Sequence, residues 1–168
     1  MTTSPQQNVN DKLRRLLDSA AIQDVQLQYA SGTDGRDWDL FRRCFTDEVE
    51  VDFSEGFGQP AVTVSADELV QGTAPRMESF KATQHMMTNL RVEFEDDDHA
   101  TCVAYVRARH HLPNSTGGSD QTVYGYYTNK FVRTPDGWRI ARLKLTTQWM
   151  TGNFGIFQTA LADPDAER

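Results

Sequence analysis

The sequence predicts an α+β fold in which helices come first and pack into one face of a bent, mainly antiparallel sheet. Three observations carry this. Apolar residues recur at helical spacing up to about residue 45, then alternate with polar ones at the period of a half-buried strand. The later segments, at 84–95, 100–112, 121–133 and 137–148, are separated by Asp96-Asp97-Asp98, Pro113-Asn114-Ser115-Thr116-Gly117-Gly118 and Pro135-Asp136-Gly137. Turns this short pair neighbouring strands antiparallel. Finally, 168 residues without an internal repeat suit one core. The single domain is placed at 11–160, between a loose polar arm at 1–10 and a frayed tail at 161–168.

Taken in order, Leu13, Leu16, Leu17, Ala20 and Ala21 form one helical stripe and Ile22, Val25 and Tyr29 a neighbouring one. The helix should end by Gly32. Thr33-Asp34-Gly35-Arg36 then makes a polar corner, and Asp37 can cap a second helix bearing Trp38, Phe41 and Phe45. Glu48 to Phe53 alternates strictly and reads as a strand, followed by a glycine- and proline-containing loop over 54–60. Ser65-Ala66-Asp67-Glu68 has capping-box spacing and should open a third helix running to about Phe80.

Strand parity sorts the second half. In 100–112, Cys102, Ala104, Val106, Ala108 and His110 share the inward face, leaving Tyr105, Arg107, Arg109 and His111 outside. His85 falls out of register with Leu90, Val92 and Phe94. Either a bulge switches the register or both sheet faces are buried, one by helices and one by another subunit. The second is the expectation, and with it a homo-oligomer, trimer or dimer, formed through the sheet.

Composition narrows the function. A net charge of −7 argues against a nucleic-acid partner. No apolar run reaches membrane-spanning length, and the polar N-terminus lacks a signal-peptide core. Cys44 and Cys102 read as two reduced, buried thiols of a cytoplasmic protein rather than a disulfide or metal site. No glycine-rich phosphate loop follows a strand and no metal-ligand spacing is found, so no metal site is expected. Tyr29 with Asp34, His85 and His110 are the groups that could do chemistry. An imidazole is a natural general base at neutral pH, and a carboxylate on its other nitrogen would fix the tautomer. The plain alternative is a corner turn beside satisfied histidines.

Tyr29-Ala30-Ser31-Gly32-Thr33-Asp34, the following Gly35 to Phe41, Glu50-Val51-Asp52-Phe53, Thr83-Gln84-His85 and the hairpin Tyr127 to Ile140 together resemble SnoaL-like proteins of the NTF2-like superfamily, over residues 15 to 150. Among these, scytalone dehydratase, γ-hexachlorocyclohexane dehydrochlorinase and bile-acid 7α-dehydratase are the nearest likenesses. The resemblance implies a cone-shaped barrel and a cofactor-free lyase. It makes Asp34 and His85 an aspartate–histidine pair with His85 as base, assisted by Tyr29, His110 and Arg142. Thr33 and Phe53 stand where scytalone dehydratase has tyrosines, which argues against scytalone as substrate. A hydrophobic, ring-containing small molecule is expected in a pocket formed by Phe53, Met86 or Met87, Asn129, Phe131 and Trp138, with Phe154 and Phe157 nearby. Two further readings come with the fold: a non-catalytic binding protein or oxygenase β-subunit-like partner, and a ketosteroid-isomerase-like enzyme. The isomerase would need a strand carboxylate as base, and Asp52 is in the outward register.

Overall fold

A computed structural model of the chain describes residues 5–114 and 117–162. Residues 1–4 of the expected arm, Ser115 and Thr116 of the expected turn, and the tail beyond 162 lie outside that range. The order is α1 (Pro5–Gly35), α2 (Trp38–Arg43), β1 (Phe45–Asp52), α3 (Ser54–Phe57), β2 (Val62–Ser65), α4 (Ala66–Glu78), β3 (Ala82–Phe94), β4 (His99–His111), β5 (Asp120–Thr134), β6 (Gly137–Gly152) and α5 (Gly155–Ala162). Six strands form one curved, unclosed sheet in the order β2-β1-β6-β5-β4-β3. Every pairing is antiparallel except β1 with β6.

Helix α1 departs from expectation at both ends. It is continuous from Pro5, so residues 5–10 are helical rather than a loose arm. Proline is well suited to a helix's first turn, where its missing N–H has no partner to lose. Of the two apolar stripes, only the second packs on the sheet. Ile22, Val25 and Tyr29 are buried, whereas Val9, Leu13, Leu16 and Leu17 remain exposed. The C-terminal end runs to Gly35 and closes through Arg36 in the left-handed region (φ 57°).

The expected caps are present. The Asp37 carboxylate accepts from the Leu40 N–H at 2.8 Å and starts α2. Ser65 and Glu68 form the reciprocal capping box of α4, which continues past Pro75 to Glu78. The core packs Ile22, Val25, Tyr29, Phe41 and Phe45 against Cys102, Phe131, Ile140 and Leu143 of the sheet. Cys44 and Cys102 are buried free thiols, and burial pushes them up to about 12 and about 11.

The register problem in β3 is resolved by a bulge, against the expectation of two buried faces. Thr88 pairs with Tyr105 and Arg91 with Val103, so β3 carries one residue more than β4 over this stretch. Asn89 absorbs it with φ 52°, a conformation asparagine tolerates better than most residues. Thr83, His85 and Met87 therefore face inward before the bulge, and Leu90, Val92 and Phe94 face inward after it.

Candidate active site

The last turn of α1 ends against the first residues of β3, and this junction builds the site. Asp34 lies in that last turn, where a carboxylate opposes the helix dipole. Its oxygens are compensated from β3. It accepts the His85 backbone N–H at 2.6 Å and the Thr83 hydroxyl at 2.9 Å. The His85 ring places Nδ1 2.7 Å from the same carboxylate. Burial opposes ionisation of Asp34, but the His85 and Thr83 contacts outweigh it and hold the carboxyl below its ordinary range. An ionised carboxylate can only accept, so Nδ1 carries the proton and Nε2 is left as the basic nitrogen. The His85 side chain is 7% exposed.

Arg36 fixes the corner. Its Nη1 donates to the Thr33 carbonyl at 2.7 Å and to the Thr83 hydroxyl at 2.8 Å, tying the end of α1 to β3. Sequence reasoning passed over it because the clamp joins residues 47 apart.

His85 opens into a cavity of about 320 Å³. Its walls are mostly apolar: Phe41, Phe53, Leu69, Val106, Val123 and Leu145, with Phe154 and Phe157 of the C-terminal segment at one side. Tyr29 and Tyr127 meet there, hydroxyl to hydroxyl at 3.1 Å. Burial raises both, Tyr29 well above the ordinary value and Tyr127 to about 12, so both keep their protons as donors. His110 lies with its ring centre 5.7 Å from that of His85. It packs against Phe80 and Phe157, and its cross-strand partner Gln121 approaches without reaching hydrogen-bond geometry. Burial first, and the neighbouring His85 second, push it down to about 3, so it is neutral.

The structure thus brings together Tyr29, Asp34, His85 and His110, with Phe53 in the wall. It does not bring in the remaining expected residues. Arg142 shares a strand with Leu143 but points to the other face, at ion-pair distance from Glu50 (3.1 Å) and Asp52 (3.2 Å). Met87, Phe131 and Trp138 face inward but are spent on the core, and Trp138 donates to Asp18 at 3.1 Å. Asn129 is fully buried between the Gln26 side chain and the Lys144 N–H. These four residues all lie on the inward side of the sheet. The cavity, however, occupies only the end of the sheet near Val123 and Tyr127, and packed side chains fill the other end. Met86 is exposed, as its parity requires. Tyr127 was legible, since it shares parity with Asn129 and Phe131. Thr73, Arg76 and Met77 of α4 carried no signal beyond helical spacing.

Among the described residues, no group of three or more His, Cys, Asp or Glu side chains is placed to hold a metal ion. Among the described residues, no helix is long and apolar enough to cross a membrane.

Helices seated on a curved, unclosed six-stranded sheet place the chain among NTF2-like α+β proteins. A family model described as "SnoaL-like domain" matches residues 14–144, and the chain belongs to that family. The crystal structure of Kfla4162 from Kribbella flavida superposes with a TM-score of 0.79 at 35% identity, covering 82% of this chain and 95% of that one. Hexachlorocyclohexane dehydrochlorinase LinA-type3 from Novosphingobium barchaimii gives a TM-score of 0.69 at 25% identity, over 86% and 95% of the two chains. The uncharacterized protein Rv2910c of Mycobacterium tuberculosis is 29% identical over 128 residues, 74% of this chain and 82% of its own.

Proposed function

We propose that this protein is a cofactor-independent lyase of dehydratase or dehydrohalogenase type, acting on a hydrophobic, ring-containing small molecule with His85 as general base. The observation that carries the reading is the Asp34–His85 pair, with Nδ1 engaged by the carboxylate and the His85 ring lining a mainly apolar cavity. The likeness to a dehydrochlorinase supports the same chemistry.

In this mechanism Nε2 takes the proton from a carbon made acidic by a neighbouring carbonyl or electron-poor centre. The C–H electrons become the new double bond, and hydroxide or halide departs with the electrons of its own bond. Asp34 bears against the positive charge that develops on the ring. Of the Tyr29–Tyr127 pair, the hydroxyl that accepts from its neighbour has its own proton free, and with neutral His110 it donates a hydrogen bond where negative charge accumulates. When hydroxide leaves, the imidazolium returns the proton and water is released. Isomerase chemistry with a carboxylate base is less well supported, because no carboxylate lines the cavity among the described residues.

The test is a screen of ring-bearing β-hydroxycarbonyl compounds and halocycloalkanes, followed for elimination. His85→Gln and Asp34→Asn should each lower turnover by roughly 10²–10⁴-fold, the usual worth of positioned acid–base help, with ligand affinity nearly intact. Near wild-type turnover in His85→Gln would show that another residue is the base. If no compound in the screen is turned over yet ligands bind, the binding-module reading replaces this one.

A homo-oligomer, trimer or dimer, is part of the proposal, on a different ground from the sequence argument that the bulge removes. The outer sheet face carries Met86, Tyr105 and Trp149, each about half exposed, with Tyr124 stacked on Trp149 at 4.7 Å. An apolar patch of this kind on a sheet face suits a second copy. Light scattering at micromolar concentration checks this, and a monodisperse monomer refutes it.

A further inference from the structure

The polar lining of the cavity contains one group that the elimination mechanism does not use. Leu69, Gly72, Thr73, Arg76 and Met77 of α4 all border the cavity. Their spacing, i, i+3, i+4, i+7 and i+8, is one face of a helix, so Arg76 is presented to the cavity by α4 itself. Its Nε is buried and has no hydrogen-bond partner. Among the described residues, no carboxylate lies at ion-pair distance from Arg76, and no carboxylate lines the cavity. Other arginines are treated differently: Arg42, Arg109 and Arg133 each hold an aspartate, and Arg36 holds backbone carbonyls. The nearby acids are engaged elsewhere, Glu78 with the Trp38 indole and Asp34 with His85. Arg76 is therefore the one full charge on an otherwise neutral, mainly apolar wall.

A guanidinium partly withdrawn from water with a donor unpaired is costly, and a ligand that supplies the acceptor recovers that cost. The planar fork of arginine matches a carboxylate in two parallel hydrogen bonds. A single guanidinium, with no glycine-rich loop and no second cation beside it, suits a monoanion better than a phosphate, whose two charges need more donors. We propose that Arg76 is a substrate-binding residue and that the substrate is an apolar ring compound bearing a carboxylate, anchored on Arg76 with its ring extending toward His85. The proposal rests on the cavity being the substrate site, as argued above, and adds the ligand's charged end. In a protein of net charge −7, Arg76 also supplies a local attraction for an anion at the cavity wall.

Two probes of equal shape separate charge from hydrophobicity: 2-naphthoate, ionised at pH 7.5, and neutral 2-naphthamide. Isothermal titration calorimetry should give roughly tenfold tighter binding of the naphthoate to the wild type, as one charge-assisted contact implies. Arg76→Met should abolish that preference while leaving naphthamide affinity unchanged. Arg76→Lys should restore part of it through charge without the fork. Arg107→Met, on the outer face over Tyr124, should leave it intact and exclude surface binding. Equal affinities in the wild type, no binding of either probe, or a preference that survives Arg76→Met overturns the proposal. His85→Gln separates it from the lyase reading. That variant should keep the naphthoate preference whether or not it loses turnover, so either idea can fail alone.

Discussion

Replacing His110 by glutamine should flatten the acid side of the stability curve, by an amount the structure sets. His110 is 5% exposed, among Phe80, Phe157 and His85, and is pushed down from the ordinary 6.5 to about 3. Burial is the main cause, and the adjacent His85 adds to it. Asp34 works in the opposite direction, and Arg36 in the same. Between those two values the unfolded chain holds a proton on this side chain that the folded chain does not. Stability therefore rises with pH across the window and falls as the solution is acidified. From pH 7.5 to pH 5.0 the loss from this one group comes to about 2 kcal/mol by linkage, and it reaches about 4 kcal/mol at pH 3. That is a large share of a typical domain's stability of about 5–15 kcal/mol. The depressed Asp34 carboxyl acts in the same direction but below the ordinary carboxylate range, so pH 5.0 isolates the histidine. Urea unfolding of the wild type and His110→Gln at pH 7.5 and 5.0 gives the measurement. The wild type should lose about 2 kcal/mol more than the variant over that interval. Equal losses in the two proteins would mean that His110 takes up its proton without unfolding, and the argument from burial would fail.

Three further outcomes follow from packing and backbone geometry, each read from urea midpoints. Gly125→Ala should destabilise the β5–β6 pair by about 1–3 kcal/mol or more, because an added Cβ would meet the Thr146 carbonyl oxygen at 2.1 Å. Asn89→Gly should be nearly neutral, whereas Asn89→Val should cost about 1–2 kcal/mol or more, since a β-branched residue resists the left-handed backbone of the bulge. Equal effects would mean that the bulge is not held at this residue. Asn129→Leu should cost about 1–3 kcal/mol for each buried partner left unsatisfied, the Gln26 amide and the Lys144 N–H, while leaving ligand binding unaltered. Loss of binding without loss of stability would return Asn129 to the cavity wall.

The sequence by itself determined the parts of this protein that depend on neighbours a few residues away. Asp37 and the Ser65–Glu68 box mark helix starts because a cap satisfies N–H groups within its own first turn. Period-two alternation assigned the inward face of β4, and His110 and Cys102 are buried as that parity requires. The sequence's likeness to a known family brought Asp34 and His85 together before any distance was available. Only the tertiary structure decided which face His85 occupies. The broken alternation in β3 allowed either a bulge or two buried faces, and only the cross-strand pairing of Thr88 with Tyr105 and Arg91 with Val103 fixes the extra residue at Asn89. The tertiary structure also decided where along the sheet the cavity lies. Phe131 and Val123 have the same parity, yet one fills the core and the other lines the cavity, because α4 and the C-terminal segment cover only one end. Arg142 and Arg76 make the same point. A sequence shows two arginines, and only packing sends one outward to Glu50 and Asp52 and leaves the other, without a partner among the described residues, against the cavity.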